Sequence, residues 1–101
     1  MAEESHLPSE EELREALGKV GVADILVNSL SAAASIGFHR LSAEARDLEQ
    51  VRLAIESLRA LDPVLREAGV DEAVVRDLEQ ARTNLQLAYA RAVSEEPPAD
   101  E

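Results

Sequence analysis

Few side chains in this sequence carry reactive chemistry, and their spacing limits what each can do. The two histidines are His6 and His39. Glu3 and His6 read E-x-x-H, the spacing of carboxylate-bridged di-metal helical proteins. Such sites need two of these elements plus further inward-facing glutamates, and here there is one, in a leader expected to be disordered. His39 stands beside Arg40 in an expected turn, where a histidine meets free helix-end carbonyls before it acts as a ligand or base. Ser29, Ser31 and Ser35 share one helical stretch with no histidine at hydrogen-bonding spacing. Nucleophilic catalysis needs an adjacent base, so these serines read as small packing or helix-surface residues.

The remaining polar groups read the same way. Glu11-Glu12 and Asp71-Glu72 sit where helices begin, and serve the helix dipole before they serve as acid–base pairs. The absence of cysteine removes disulfides, thiol chemistry and cysteine metal sites together. Gly18, Gly21, Gly37 and Gly69 are too scattered for a phosphate-cradling loop. The nine arginines and one lysine are spread along the chain, many at salt-bridge spacing to acids, as in Glu72 with Arg76 and Glu79 with Arg82. They read as solvated helix faces. The expectation is a protein with no catalytic residue, no metal and no cofactor.

The elements that would carry these residues are helical throughout. The chain is organised around residues 22–36, VADILVNSLSAAASI. At about 100° per residue, Asp24, Asn28, Ser31 and Ser35 fall on one narrow stripe, and the rest forms an apolar arc of roughly 220°. An ordinary surface helix has an apolar stripe of about 100° or somewhat more, so this one must be covered on two sides. Ala23, Val27, Leu30 and Ala34 form a heptad seam. Ile25, Ala32 and Ile36, beside Ser29, form the excess side. The spacing predicts an end at residue 36, with Gly37 as the left-handed residue after the helix and Phe38 to Leu41 as the turn.

Three further helices are expected. Ser9 and Glu12 make a capping box for a short helix near 10–19, with Leu13, Leu17 and Val20 as its apolar edge and Glu10–Arg14 and Glu15–Lys19 as favourable pairs. Ser42 is expected to cap a helix over 43–68, with Leu48, Val51, Ile55 and Leu58 on one seam and Val51, Ala54, Leu58 and Leu61 on an overlapping one. Within it, Asp62-Pro63 should recap or kink the chain, and Gly69 should end it. Asp71 caps the last helix, 72–93, with Val70 stapled to Val75. Val74, Leu78, Ala81, Leu85, Ala88 and Ala92 give it the cleanest heptad in the chain, and Pro97-Pro98 bars its extension. Residues 46–52 (RDLEQVR) recur as 76–82 (RDLEQAR) and read as two similar helix openings whose leucines, Leu48 and Leu78, face one another. The expected fold is all-α, a three-helix bundle with a short additional N-terminal helix: an acidic leader over 1–8, a helical domain over 9–93 and an acidic tail over 94–101.

Bulk properties bound the partners. The 101 residues are 46% hydrophobic but only 2% aromatic, Phe38 and Tyr89, so the core must be aliphatic and thin. Small cores of this kind often gain from self-association. The acids Glu3, Glu4, Glu10, Glu11 and Glu12, with Glu95, Glu96, Asp100 and Glu101, carry −9 of the formal −11, leaving −2 for residues 13–93. These acidic ends read as solvating tails. No basic stripe exists to replace phosphate counterions, which argues against nucleic acid and anionic membranes alike. The front of the chain shows no basic leader followed by a hydrophobic run, and the 22–36 stretch is expected to be too short and too interrupted to span a bilayer. Together these predict a cytoplasmic protein.

Three segments resemble a family of small bacterial all-helical proteins of unknown function, whose actinobacterial members are nearest in texture. They are Ser31-Ala32-Ala33-Ala34; Arg46-Asp47-Leu48-Glu49 with Arg52, Ile55 and Leu58; and Leu85-Gln86-Leu87-Ala88-Tyr89, spanning about residues 25–92. The chain departs from that pattern at Ile36-Gly37-Phe38, where the family has Leu-Gly and a longer acidic or proline-bearing connection. The resemblance implies an all-helical domain with no established activity and no catalytic residues to carry over.

The functional expectation is a non-enzymatic interaction or structural protein that works through a helical face of Ile25, Ser29, Ala32 and Ile36 and forms a homo-oligomer or binds another protein. The alternative is an enzyme or small-ligand binder with a pocket between helices, for which Asn28, His39 and Tyr89 are the unusual side chains. A third reading, an acidic mimic of nucleic acid, needs a folded body that is acidic on one face.

Overall fold

The computed structural model describes residues 9–95. Met1 to Pro8, with the Glu3–His6 pair, lie outside the described residues, as do the last six residues of the acidic tail. The described chain is all-helical: α1 (Glu10–Lys19), α2 (Val22–His39), α3 (Leu48–Glu67) and α4 (Glu72–Glu95).

α2, α3 and α4 pack pairwise around one core. α3 is central. It contributes Val51, Ala54, Ile55, Leu58 and Leu65, against Leu30 and Ala34 of α2 and Val75 and Leu85 of α4. The seam positions predicted on α2, α3 and α4 are buried or half-buried, but Leu65 and Val75, which lie outside those seams, are buried as deeply as any of them; Leu65, Leu85 and Val51 are almost wholly enclosed. Leu48 and Leu78 both pack on this core. The repeated heptapeptide nevertheless does not mark two helix openings: Asp47 caps α3, whereas Arg76-Asp77 lie inside α4.

α1 forms as expected. Ser9 Oγ accepts from the Glu12 amide at 3.1 Å, and Glu12 Oε1 accepts from the Ser9 amide at 2.9 Å. The Glu10–Arg14 and Glu15–Lys19 pairs do not close among the described residues; exposed i, i+4 pairs are worth only a few tenths of a kcal/mol against side-chain entropy. α1 buries none of its residues and packs against none of the other helices.

The α2–α3 connection departs from expectation. α2 does not end at residue 36 but runs three residues further, through Gly37. Gly37 is buried without a positive φ. A Cβ there would stand 3.2 Å from both Ala54 Cβ and Leu85 Cδ2. Its role is to let α2 approach both neighbours, and the pressure for glycine came from packing, not from a left-handed turn. The extra turn consumes the residues assigned to the connection. Ser42 therefore closes a local turn, donating to the His39 carbonyl at 3.0 Å and accepting from the Ala45 amide at 3.3 Å. α3 begins at Leu48, not residue 43, with Asp47 as its cap accepting from the Gln50 amide. Arg46 ties the loop by donating to the Leu41 carbonyl at 2.8 Å.

Pro63 neither recaps nor ends α3, which continues to Glu67. Its missing donor leaves the Arg59 carbonyl without its intrahelical partner, and both residues are exposed, on the side of the helix open to solvent. Gly69 closes the helix as expected. At φ 82° it forms a Schellman turn, with the Val70 amide donating to Leu65 (3.2 Å) and the Gly69 amide to Arg66 (3.1 Å). Asp71 Oδ1 then accepts from the Ala73 amide at 2.9 Å and starts α4, which extends to Glu95 and so takes in the first two residues of the expected tail.

Candidate interaction face

The predicted face is built on α2, whose apolar arc is split lengthwise by its packing. One half, Ala23, Leu26, Val27, Leu30, Ala33, Ala34 and Gly37, is buried or partly buried against α3 and α4. The other half is bare. Ile25 and Ile36 are each 52% exposed, Val22 is 75% exposed, and Ser29 and Ala32 between them are open. All four predicted residues thus lie on one continuous outer strip. Within the single chain α2 is therefore covered on one side only, by α3 and α4, and not on the two sides that its apolar arc calls for.

The structure adds a part that the α2 pattern does not contain. A shallow groove of ≈ 180 Å³ between α2 and α3 is lined by Ala33 and Ile36 on one side and Gln50, Leu53, Ala54 and Ser57 on the other. Leu53, 59% exposed, and Val64 beyond it stand on the α3 edge flanking this groove. These two leucine and valine positions fall outside both α3 seams, three turns apart on one edge. The sequence pattern alone does not tie them to α2.

Charge outlines the face. On α3 the ion pairs occupy a different row: Arg52 donates to Glu49 at 2.7 Å, and Arg59 pairs with Glu56. Hydrogen bonding from Arg52 and Arg59, with their positive charge, holds the Glu49 and Glu56 carboxyls below the ordinary glutamate range. Arg66 bridges Asp62 and, at 3.5 Å, Glu79 of α4. By helical angle, the strip from Ala32 across the groove to Leu53 and Val64 holds no Asp, Glu, Lys or Arg. It is an uncharged band on a strongly acidic chain.

The residues offered for small-molecule chemistry do not converge. A cleft of ≈ 520 Å³ at the start of α2 is lined by Ala23, Asp24, Val27 and Asn28 and, across from them, by Val70 and Asp71. His39 lies eleven residues further along α2, roughly 16 Å by helical rise, and is exposed. Tyr89 packs against the core. Asp24, Asn28 and Asp71 are exposed, and one Asp71 oxygen is already used as the α4 cap. Among the described residues, no three His, Cys, Asp or Glu side chains gather as a metal site.

α2 also corrects the expectation about membranes. At 18 residues and mean hydropathy 1.2 it is long and apolar enough to cross a bilayer by length and composition. Its inner side, however, is engaged with α3 and α4. Comparison of the chain with protein-family models, curated proteins and solved structures finds no match.

Proposed function

We propose that this is a non-enzymatic helical interaction protein, in which α2, α3 and α4 form a three-helix bundle that works through the uncharged α2/α3 band, first of all with a second copy of itself. The observation that carries the reading is the bare outer half of α2, continued across the groove by Leu53. Fully burying one aliphatic side chain is worth about 1.5–3 kcal/mol. Val22, Ile25, Ile36 and Leu53 each leave much of that unrealised in the single chain. Scattered exposed apolar residues are ordinary, but a contiguous band free of charge marks an association surface. The body of the chain, at −2 and without a basic stripe, favours a protein partner over nucleic acid.

The test is the concentration dependence of solution mass by sedimentation equilibrium. The native chain should pass from monomer to dimer. Ile36→Glu, at an exposed position, should shift that transition to higher concentration by at least about tenfold, the equivalent of about 1.4 kcal/mol, with unchanged helicity by circular dichroism. A native chain that stays monomeric up to millimolar concentration overturns the reading.

A second reading, a small-molecule binder, draws on the cleft beside Asp24 and Asp71, whose volume lies within the usual range for ligand sites. A small molecule that raises the melting temperature of the native chain, but not that of Asn28→Ala at an exposed position on the cleft wall, would favour this reading, and the absence of any such ligand-dependent rise counts against it.

A further inference from the structure

α1 is a helix with no contact to lean on. Its apolar edge of Leu13, Leu17 and Val20 is bare, and none of its residues is buried. A ten-residue helix is marginal in water even with good caps. The same chain therefore carries two unpartnered apolar surfaces, the α1 edge and the α2/α3 band. Their sizes correspond: Leu13 to Val20 spans roughly 10 Å and Ile25 to Ile36 roughly 16 Å at helical rise.

The connector decides which copy of α1 reaches the band. Val20 (φ −101°, ψ 125°) and Gly21 (φ −88°, ψ 150°) are both extended. The Gly21 carbonyl is fixed by the Asp24 and Ile25 amides, at 3.1 and 3.4 Å. This joint sends α1 off the end of α2 instead of back along it, and the described chain spans 59 Å in its longest direction. Two residues are the lower limit of the roughly two to eight that usually connect antiparallel packed helices, and short hinges of this kind favour exchange between copies.

We infer that the band is covered by α1 of a second copy, the two chains exchanging their first helices around a twofold axis. Leu13, Leu17 and Val20 of each copy lie over Ile25, Ala32, Ile36 and Leu53 of the other. Because the band holds no charged side chain, the acids of α1 meet no like charge on docking and remain in water on its far side. Each copy gives one helix and receives one, so the contact is closed and the assembly stops at two.

This inference rests on the band being a self-association surface, and the experiment separates the two. Full-length native chain, Leu17→Glu and Ile36→Glu are compared by sedimentation velocity, with circular dichroism as the check on folding. Exchange predicts that each substitution weakens the dimer by at least about tenfold. It also predicts that an equimolar mixture of the two variants recovers a heterodimer, since the intact α1 of one chain fits the intact band of the other. A dimer that Leu17→Glu leaves unchanged overturns exchange while self-association stands. Two weakened variants whose mixture gives no heterodimer overturn it as well. A native chain that is monomeric throughout removes both the exchange and the reading beneath it.

Discussion

Gly37 shows how one missing methyl sets the distance between helices. Alanine is favoured over glycine in a helix interior by about 1 kcal/mol, yet at Gly37 the added Cβ would press on Ala54 Cβ, fixed to the α3 backbone, and on enclosed Leu85. Overpacking costs about 1–3 kcal/mol. Gly37→Ala should therefore lower stability by about 1 kcal/mol in urea denaturation. Gly18, with open space around its Cβ position, should do the opposite, Gly18→Ala raising the helicity of α1. Glu49 and Glu56 give a titration signature at the same scale. Their carboxyls are held below the ordinary range by Arg52 and Arg59, so the folded state binds their protons less readily than the unfolded chain. Their contribution is complete above the unfolded value of about 4.3 and is lost as pH falls through the depressed folded values. Solvent reaches both carboxylates, so the effect is screened. Glu49→Gln and Glu56→Gln together should flatten the acid side of a melting-temperature profile, and added salt should shrink the difference from the native chain.

α3 holds the fold together and also carries the sequence's least helix-like residue. Pro63 costs up to about 3 kcal/mol in a helix interior. Because α3 continues past it with the freed carbonyl facing water, Pro63→Ala should raise stability by about 1–3 kcal/mol without moving a core residue, read as a shift in denaturation midpoint at constant slope. At the end of the same helix, Gly69→Ala should cost about 1–2 kcal/mol, since φ 82° is unfavourable for a residue with a Cβ. The seams of α3 and α4 were legible in the sequence because their apolar residues keep a strict four–three step and because Asp71, Ser9 and Gly69 are local signals with local answers. The α2–α3 connection was not. Gly37 has two physical uses, a left-handed turn or a close helix approach, and only the neighbours it faces distinguish them. Ser42 and Asp47 both suit a helix start, and which one caps follows from where α2 stops. The α2 half of the candidate face was legible as surplus apolar arc. Its α3 half was hidden, since Leu53 and Val64 acquire meaning only once α2 is seen beside them.

The whole molecule sets a small aliphatic core against a large negative charge. Among the described residues ten apolar side chains are buried, five of them Leu or Ile and the rest Val or Ala, and no polar side chain is enclosed with them. Removing one large member should be felt globally: Leu85→Ala is expected to cost about 2–5 kcal/mol, measured by thermal or chemical unfolding of all three packed helices together. At −11 per chain, two copies repel. Association through an uncharged band should therefore strengthen as salt is added, because screening removes the repulsion and leaves the apolar contact. A dimer that weakens with salt would point to charge, and sedimentation at low and high ionic strength tells the two apart.

The split of α2 into an engaged side and a bare side also bears on how the chain is made. α2 leaves the ribosome before either helix that shelters its inner side. At synthesis rates of about 5–20 residues per second, the nascent helix stays apolar nearly all round for a time on the order of seconds. During that interval the side later held by α3 and α4 is as naked as the side that stays open afterwards. The wait for its own partners is thus the period in which this segment is most prone to misassembly and most recognisable to a chaperone.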